Sequence, residues 1–338
     1  MIIVTGATGF IGRVLIADIL NKMAGQKVLC LVKPDDGTEL ESSGRKILDD
    51  LGVEYRFVDL MHTVSAPLVL PEPVHSIFHL AAITNTGDPD HTINQIGTAN
   101  LLRLLGTAVG AHTRFIFAST VSTIDNRRDM NAAAVESTDL LRPFHTYGRA
   151  KRDTEAILRE QSEKLGFELV LFRFCAVFGA NNNLKGFYGQ FASMAKNGAL
   201  LGRINFPGKV AIIYVNDLSD LLIRAAKMPM SKKVELLHPV AENLSIDEIS
   251  QTFSDALGVK RKRIVVPSFV WQLARVGIRA FFKLEKVAPH FLYNKMWQLY
   301  LLTSNAYYCE SEKVPELFPD FKPRKFADTC KELLVRLP

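Results

Sequence analysis

The sequence predicts an α/β protein built on a doubly wound parallel sheet, with a smaller and mostly helical C-terminal lobe. Through the first half of the chain, short apolar runs alternate with apolar residues at helical spacing, a pattern typical of a parallel sheet covered by helices on both faces. After Gly179 the alternation stops at consecutive asparagines, Asn181–Asn183, which indicate a loop. We therefore expect one domain over residues 1–179 and a second over residues 180–338, with the chain crossing back to the sheet near 205–240.

The individual elements follow from the period of the apolar residues. Strands are expected at Ile2–Val4, Lys27–Val32, Glu54–Val58, Ser76–Leu80, Arg114–Ala118 and Glu168–Phe172. Helices are expected at Phe10–Met23, Asn94–Val109, Tyr147–Leu165, Val215–Ala226 and Ile246–Ala256, the last opened by a capping box of Ser245 and Glu248. Because crossovers between parallel strands are right-handed, a ligand crevice is expected at the carboxyl ends of the strands.

The segment between the first strand and the first helix, Thr5–Gly12, reads TGATGFIG. Glycine at every third position permits a tight turn, a close approach of the backbone to a pyrophosphate and close packing of the helix on the sheet. Unpaired N–H groups and the positive end of the helix dipole favour the anion. The pattern predicts a Rossmann-type dinucleotide-binding domain, although glycines alone also fit a plain strand-to-helix turn. The residues expected to hold the dinucleotide here are Gly6, Thr8, Gly9, Phe10, Ile11 and Gly12.

The residue at the end of the second strand, Lys33, indicates which dinucleotide is bound. A carboxylate about 20 residues after the glycines would grip a ribose 2′-hydroxyl, whereas a cation suits a 2′-phosphate. We therefore expect NADP(H) in preference to NAD(H), although Asp35 and Asp36 follow directly and a solvated lysine is the plainer alternative. Asp59 and Leu60, after the third strand, are expected at the adenine edge unless Asp59 only caps a turn.

Tyr147 and Lys151 indicate a proton relay because they lie four apart on a predicted helix and share a face. A neighbouring ammonium favours the phenolate and lowers the pKa of a tyrosine from about 10, so Tyr147 is a candidate general acid or base. Ser119 and Thr120 end a predicted strand, where a hydroxyl can hold a substrate oxygen. By itself the Tyr and Lys spacing also fits an ordinary helix surface.

Nearly end to end, the chain resembles the extended short-chain dehydrogenase/reductase family. The motifs that carry the resemblance are TGATGFIG, Asp59-Leu60, HLAA at 79–82, INQIGTANLL from Ile93, FASTVST from Phe117, YGRAK from Tyr147, FRFCAVFG at 172–179 and YVNDL at 214–218. Within this family, the chain most resembles the 3β-hydroxysteroid dehydrogenase-like and dihydroflavonol reductase-like members. The segment after Pro267 and the C-terminal YCESEKVPELFPDFKPRKF carry that resemblance.

The resemblance implies roles for particular residues. The catalytic set would be Thr120, Tyr147 and Lys151, with Ser119 as the fallback for the hydroxyl. The residues that would border the cofactor are Ala81, Ala82, Tyr147, Lys151, Phe174 and Val177. The helices from Asn94 and from Tyr147 would form a homodimer face.

Departures from the family's motifs argue against two of the reactions that its members catalyse. Sugar-nucleotide dehydratases of this family carry an Asp-Glu pair after the active-site threonine, and Val121-Ser122 stands there instead. Nucleotide-sugar epimerases usually bring an arginine to the diphosphate, and Val210 stands at that position. Lys209 or Arg203 would replace it only as point charges.

Together these features predict an NADP-dependent oxidoreductase that interconverts a carbonyl and an alcohol on a hydrophobic small molecule. The alternatives are a nucleotide-sugar epimerase or 4-keto reductase, an acyl-thioester reductase, and a non-enzymatic NADP-binding sensor or scaffold. The presence of the complete set Thr120, Tyr147 and Lys151 argues against a non-enzymatic sensor or scaffold.

Composition indicates which cofactors, partners and cellular settings to expect. With 48% hydrophobic and 22% charged residues, the chain of 338 can bury a sizeable core. Its scattered cysteines show no metal-ligand or disulfide pattern, so we expect no metal and a reducing, cytoplasmic setting without a cleaved signal peptide. The net charge of +6 comes without a nucleic-acid motif, and no nucleic-acid partner is expected.

Two aromatic segments, Pro267–Phe282 and His290–Thr303, dominate the C-terminal lobe. They fit either an apolar substrate pocket or, as the better account of any single aromatic residue, the lobe's own core. Basic residues cluster at Lys260–Arg263 and recur at helical spacing from Arg275 to Lys286. That pattern suits peripheral contact with a membrane, although a solvated helix face is the more usual explanation.

Overall fold

The computed structural model describes residues 1–34, 37–62, 66–180 and 186–334. The predicted loop Asn181–Asn183 and the acidic pair Asp35 and Asp36 lie outside these ranges. The strands within them are β1 Ile2–Thr5, β2 Val28–Val32, β3 Glu54–Phe57, β4 Ser76–His79, β5 Arg114–Thr120, β6 Glu168–Phe174, β7 Ala176–Phe178, β8 Lys209–Tyr214, β9 Val234–Leu237 and β10 Glu242–Ser245.

The α-helices within the described ranges include four short ones toward the C-terminal half. They are α1 Phe10–Lys22, α2 Glu39–Asp50, α3 Ile93–Leu105, α4 Thr146–Leu165, α5 Phe187–Lys196, α6 Leu200–Arg203, α7 Val215–Lys227, α8 Ile246–Ala256, α9 Ser268–Phe281, α10 His290–Thr303, α11 Lys313–Leu317, α12 Phe326–Thr329 and α13 Lys331–Leu334. Short 3-10 turns follow α3, β5 and α9 at Gly106–Ala108, Val121–Ile124 and Phe282–Leu284.

The chain divides into two compact units. Unit 1 consists of Met1–Thr120, Arg149–Phe174 and Leu218–Leu237. Unit 2 consists of Val121–Gly148, Cys175–Asp217 and the chain from His238 onward. The chain thus passes from unit 1 to unit 2 directly after β5, and again directly after β6.

Unit 1 is built on a parallel sheet of seven described strands in the order β3-β2-β1-β4-β5-β6-β9. The inner strand β1 is buried along its whole length and pairs in parallel with β2 and β4, in the register Ile2↔Val28 and Ile2↔Ser76. Burial on both faces explains why these strands are continuous apolar runs rather than alternating ones. The predicted doubly wound α/β fold is confirmed.

Unit 2 contains a second sheet of three described strands, in which β8 pairs in parallel with β7 and antiparallel with β10. The capping box of Ser245 and Glu248 opens α8 as predicted. An aromatic core contains Phe282, Tyr293, Trp297 and Tyr300, so these aromatic residues pack the unit's own interior.

Two further observations concern the cysteines and the hydropathy of the helices. All four cysteines are buried and free of disulfides. No helix within the described ranges combines the length and the hydropathy needed to cross a bilayer.

Candidate active site

The glycine turn between β1 and α1 packs closely against neighbouring backbone. Gly6 adopts a φ of 70°, and a Cβ atom there would lie 2.7 Å from the backbone nitrogen of Ala81. A Cβ atom on Gly12 would lie 2.1 Å from the carbonyl oxygen of Gly6, because α1 packs directly on the turn. Only glycine fits at these two positions.

The first turn of α1 presents backbone N–H groups without a side-chain cap. Gly9 is the N-cap residue and makes no side-chain cap hydrogen bond, and no acidic residue lies in the first turn. Because such a terminus carries partial positive charge, it suits a phosphate. The glycine turn and the uncapped start of α1 together fit the pyrophosphate of a dinucleotide. Phe10 and Ile11 begin the helix and are half-buried.

Thr8, which also lies in this turn, is hydrogen-bonded to a side chain of α2. Its hydroxyl donates a 2.7 Å hydrogen bond to Oε2 of Glu41, and a Cβ atom on Gly44 would lie 2.5 Å from the carbonyl oxygen of Thr8. The sequence predicted no helix over Glu39–Asp50, yet α2 is the element that packs on the glycine turn.

Lys33 and Asp59 lie near each other in unit 1. The pKa of the Asp59 carboxyl is lowered, mainly by a 2.8 Å hydrogen bond from the backbone N–H of Met61, with smaller contributions from His62 and Lys33. Asp59 therefore caps its own turn, and its contact with adenine stays a prediction. Lys33 is exposed, and Leu60 uses its carbonyl oxygen to accept a 2.7 Å hydrogen bond from Nδ2 of Asn100.

A chain of hydrogen bonds fixes the end of β4 beside the glycine turn. The N–H of Ala81 donates to Oγ1 of Thr5, which lies 2.7 Å from Nδ1 of His79. On the other side of the ring, Nε2 lies 2.9 Å from the hydroxyl of Thr98, which itself donates to the carbonyl oxygen of Asn94. Since that hydroxyl has already donated its proton, Nε2 carries the imidazole hydrogen and Nδ1 accepts.

His79 is therefore a structural residue. Burial, with a smaller contribution from Lys151, lowers its pKa to about 3 and keeps the ring neutral. Asn94 continues the network, since its Oδ1 accepts a 3.1 Å hydrogen bond from the N–H of Ile83 and so anchors the loop that contains Ala81 and Ala82.

The adjacent hydroxyls of Ser119 and Thr120, at the end of β5, point to opposite faces of the sheet. The Ser119 hydroxyl donates to the buried Glu155 carboxylate of α4. The same carboxylate accepts two hydrogen bonds, of 3.0 and 2.8 Å, from the guanidinium of Arg173 on β6. Successive side chains of a strand point to opposite faces, so Thr120 faces away from this cluster. Thr120 is 8% exposed and pairs with Phe174 in the sheet.

Lys151 is buried among these strand ends. Its Nζ donates a 2.7 Å hydrogen bond to the carbonyl oxygen of Ala118 and lies 4.6 Å from the centroid of the Phe117 ring. Burial lowers its pKa to about 7, while Glu155 opposes that shift. The buried ammonium thus holds its proton weakly, in a place where a neighbouring anion would be stabilised by it.

Tyr147 lies in the first turn of α4, one turn before Lys151. Its backbone N–H donates a 3.1 Å hydrogen bond to Nδ1 of His145, the residue directly before the helix, so the imidazole acts as a side-chain cap. A Cβ atom on Gly148 would lie 2.2 Å from the carbonyl oxygen of Ser122. Gly148 therefore lets the start of α4 lie directly on the 3-10 turn that follows β5.

His145 is itself held by aromatic packing in unit 2. Its ring centroid lies 4.2 Å from that of Trp297. Nε1 of Trp297 donates a 2.9 Å hydrogen bond to the buried Asp125 carboxylate, whose other oxygen accepts one of 2.8 Å from the N–H of Phe144. The position of the tyrosine thus depends on a sequence of contacts that begins on α10.

Ser122 lies two residues after Thr120 and pairs with a tyrosine remote in sequence. Its hydroxyl lies 2.5 Å from that of Tyr307. The pKa of Tyr307 is raised well above its ordinary value, mainly by burial, with a contribution from Asp125. Phe174 ends β6 in unit 1, whereas Val177 lies in β7 of unit 2.

Sequence reasoning missed several of these residues. Glu155 follows Lys151 at helical spacing, a signal that was present and could have been used. Trp297, Tyr307 and Asp125 carried no such signal, because more than 170 residues of chain separate Asp125 from Trp297.

Comparison with known proteins places the chain among nucleotide-dependent enzymes. A family model described as the NAD dependent epimerase/dehydratase family matches residues 2–236. The chain is 21% identical over 279 residues to UDP-glucose 4-epimerase of Vibrio cholerae, covering 80% of each chain. It is 25% identical over 198 residues to the non-canonical nonribosomal peptide synthetase FrzA of Cladobotryum sp, which is 51% of this chain and 19% of that protein.

The fold agrees with that of solved relatives. The structure of a UDP-glucuronic acid 4-epimerase from Bacillus cereus, a point mutant in complex with UDP-4-deoxy-4-fluoro-glucuronic acid and NAD, superposes with a TM-score of 0.72. The two share 17% identity, over 99% of this chain and 98% of the other.

Proposed function

Because the chain belongs to the NAD dependent epimerase/dehydratase family, whose members act by oxidation and reduction at CH–OH and C=O centres, we propose that it is a carbonyl reductase or alcohol dehydrogenase. In this proposal NADP(H) is the cofactor and the substrate is a hydrophobic small molecule. The observation that carries the proposal is the buried Lys151, with its lowered pKa, one helical turn after Tyr147.

Each residue of the proposed set has one task. Thr120 holds the substrate oxygen by a hydrogen bond. The nicotinamide, when bound, supplies the hydride to the carbonyl carbon. Tyr147 donates its phenolic proton to the carbonyl oxygen, so that the product is the neutral alcohol and the tyrosine is left as phenolate. Lys151 stabilises that phenolate through its positive charge, and in the oxidative direction the same proton returns to Tyr147.

The hydrogen bond of Ser119 argues against this residue as the hydroxyl that holds the substrate oxygen. The Ser119 hydroxyl already donates to Glu155 inside unit 1. Moving it to a substrate would leave a buried carboxylate with one hydrogen bond fewer, which is unfavourable. Thr120 is therefore the residue that we assign to the substrate oxygen.

A panel of carbonyl substrates with NADPH tests the proposal. Wild-type protein should consume NADPH with ketones on rings or acyl chains, and Tyr147→Phe should lower kcat by orders of magnitude while NADPH still binds. Tyr55→Phe, on the half-exposed strand β3, is the matched control and should turn over normally. Near-normal turnover of Tyr147→Phe would remove this tyrosine from the mechanism.

The preference for NADP(H) rests on Lys33, an exposed cation at the end of β2. The solved relative from Bacillus cereus carries NAD, so the preference is a separate proposal. Lys33→Asp should shift the ratio of kcat/KM for NADPH over NADH toward NADH. An unchanged ratio would show that Lys33 takes no part in the choice.

A nucleotide sugar is the second candidate substrate, because the relative that aligns over 80% of this chain is a UDP-glucose 4-epimerase. Against it, Val210 stands at the position where such enzymes bring an arginine, and this residue is buried in β8. Isomerisation of a UDP-sugar without net consumption of cofactor would favour this candidate.

The resemblance to a segment of a nonribosomal peptide synthetase keeps acyl-thioester reduction as a further substrate class. Release of an aldehyde from an acyl thioester in the presence of NADPH would identify it.

A further inference from the structure

Helix α9 carries apolar side chains on its outward face. Phe269, Leu273 and Val276 follow one another at spacings of four and three, and are 59%, 67% and 69% exposed. Ile278, on the opposite side of the helix, is buried at 5% exposure. A surface helix of a globular protein normally turns polar residues outward, so α9 has the reverse arrangement on its exposed side.

The exposed apolar side chains continue beyond the helix. Leu284 and Val287 in the connection, and Phe291 at the start of α10, are all at least half exposed. Single exposed apolar residues need no explanation, whereas a succession within one short stretch marks an interaction site. We name these six residues the apolar row: Phe269, Leu273, Val276, Leu284, Val287 and Phe291.

The stretch of chain that carries the apolar row is rich in positive charge. Residues 260–295 contain nine basic residues and one acidic residue, Glu285, so this stretch exceeds the net charge of +6 of the whole chain. Arg261 and Arg263 are engaged with Asp247. Arg279, Lys283 and Lys286 are exposed within the stretch that carries the row, where long side chains can keep their charges in water while their stems lie along apolar surface.

We propose that unit 2 docks on an anionic lipid bilayer through the apolar row, with the surrounding lysines and arginines contacting lipid headgroups. Large apolar side chains flanked by cations are the composition of helices that lie in the membrane interface. Apolar burial and attraction to acidic headgroups then act in the same direction.

Charge distinguishes the bilayer from a second copy of the chain. Two such surfaces facing each other would bring like charges together, which costs free energy. An anionic bilayer instead supplies the opposite charge over a wide area, together with an apolar interior for the row. The proposal does not depend on which substrate the active site takes.

Vesicle flotation with the full chain tests the proposal. Vesicles of phosphatidylcholine alone should retain little protein, whereas vesicles that also contain phosphatidylglycerol should float most of it. Raising the salt concentration should reduce the bound fraction, because ionic screening weakens headgroup contacts. Absence of binding to the anionic vesicles at low salt would overturn the proposal.

Two double variants separate the apolar and the charged contributions. Phe269→Ser with Leu273→Ser should lower the partition onto anionic vesicles by at least about tenfold, since two large side chains no longer enter the bilayer. Lys283→Glu with Lys286→Glu should lower it by at least about tenfold as well, since each basic residue near the surface contributes roughly fivefold.

Matched controls change other exposed residues of the same kinds elsewhere in the chain. Val69→Ser with Leu200→Ser removes exposed apolar side chains, and Lys232→Glu with Lys322→Glu makes the same change in charge outside the stretch that carries the row. Both controls should bind vesicles like wild type. Equal losses in controls and test variants would show that the apolar row is not the docking surface.

Light scattering without lipid tests the alternative that a second copy of the chain covers the apolar row. If the protein is a dimer that Phe269→Ser with Leu273→Ser dissociates, the row is an interface between copies and the proposal is wrong. An unchanged oligomeric state, together with lost vesicle binding, supports the bilayer.

Discussion

At the scale of single residues, His145 shows how a neighbouring side chain can fix Tyr147, the proposed general acid. Its Nδ1 accepts the backbone N–H of Tyr147, and this requires that nitrogen to be without a hydrogen. A protonated imidazole cannot accept, so the cap exists only while the ring is neutral. Packing on Trp297 and a T-shaped contact with His290 surround the ring, and the Asp125 carboxylate lies behind Trp297.

Replacing His145 separates the cap from the packing. In His145→Phe the ring still packs on Trp297 but nothing accepts the Tyr147 N–H, so we expect kcat to fall about tenfold. In His145→Asn an amide oxygen, a good N-cap acceptor, replaces Nδ1, and kcat should stay within about twofold of wild type. Steady-state kinetics with NADPH measure both, and the KM for NADPH should be unchanged.

The reverse order of activities, Phe above Asn, would mean that the ring acts through packing alone. Thermal unfolding of both variants checks that neither change acts through global stability.

The sequence alone points to the proposed reacting residues more readily than to the residues that hold them. Tyr147 and Lys151 follow from the geometry of one helix, and the glycines follow from one turn. The partners of His145 and Ser122 come from α10 and the segment after it, more than 140 residues away in the chain. No local period encodes such contacts, because they depend on how the C-terminal segments pack.

At the scale of elements, the strands and helices with strong apolar periods were predicted closely. The helix over Ile246–Ala256 has the predicted bounds, and β5 and β6 extend only two residues beyond prediction, to Thr120 and Phe174. The helix α2 was missed because its sequence, ELESSGRKILDD, is mostly polar. Its start depends instead on Thr38, whose side chain accepts the N–H of Glu41.

The close packing of α1 on the glycine turn predicts a contrast between two helical glycines. Gly12→Ala would place a Cβ atom 2.1 Å from the Gly6 carbonyl oxygen, so we expect a loss of stability of about 1–3 kcal/mol or more and loss of NADPH binding. Gly277→Ala in α9 meets nothing within 4 Å and should stabilise the protein by up to about 1 kcal/mol.

Chemical denaturation and NADPH fluorescence titration measure the two effects. Tight NADPH binding by Gly12→Ala would contradict the packing of α1 on the turn, and a destabilised Gly277→Ala would contradict the open surroundings of that position.

At the scale of the whole molecule, the buried Lys151 makes stability depend on pH. The pKa of this lysine falls from its ordinary value of 10.5 to about 7 on folding. Between these values the unfolded chain holds the proton and the folded protein does not, so unfolding takes up a proton. The free energy of unfolding therefore rises with pH across this interval.

Lys151→Met should flatten that dependence, because the variant has no proton to take up at this position. Chemical denaturation of both proteins across the interval from about 7 to 10.5 gives the slopes, and the difference between them isolates Lys151 from other titrating groups. Parallel slopes for the two proteins would show that the Lys151 pKa is not lowered in the folded state.

The alternation of the chain between its two units bears on how such proteins acquire new specificities. Every segment of unit 2 leaves unit 1 directly after β5, β6 or β9, so none interrupts the register of the seven parallel strands. The peripheral segments can therefore lengthen, shorten or be exchanged between relatives while the cofactor cradle is inherited unchanged. Grafting the three segments of another member onto this sheet, with Tyr147 kept in the first of them, is then a practical route to a new substrate range.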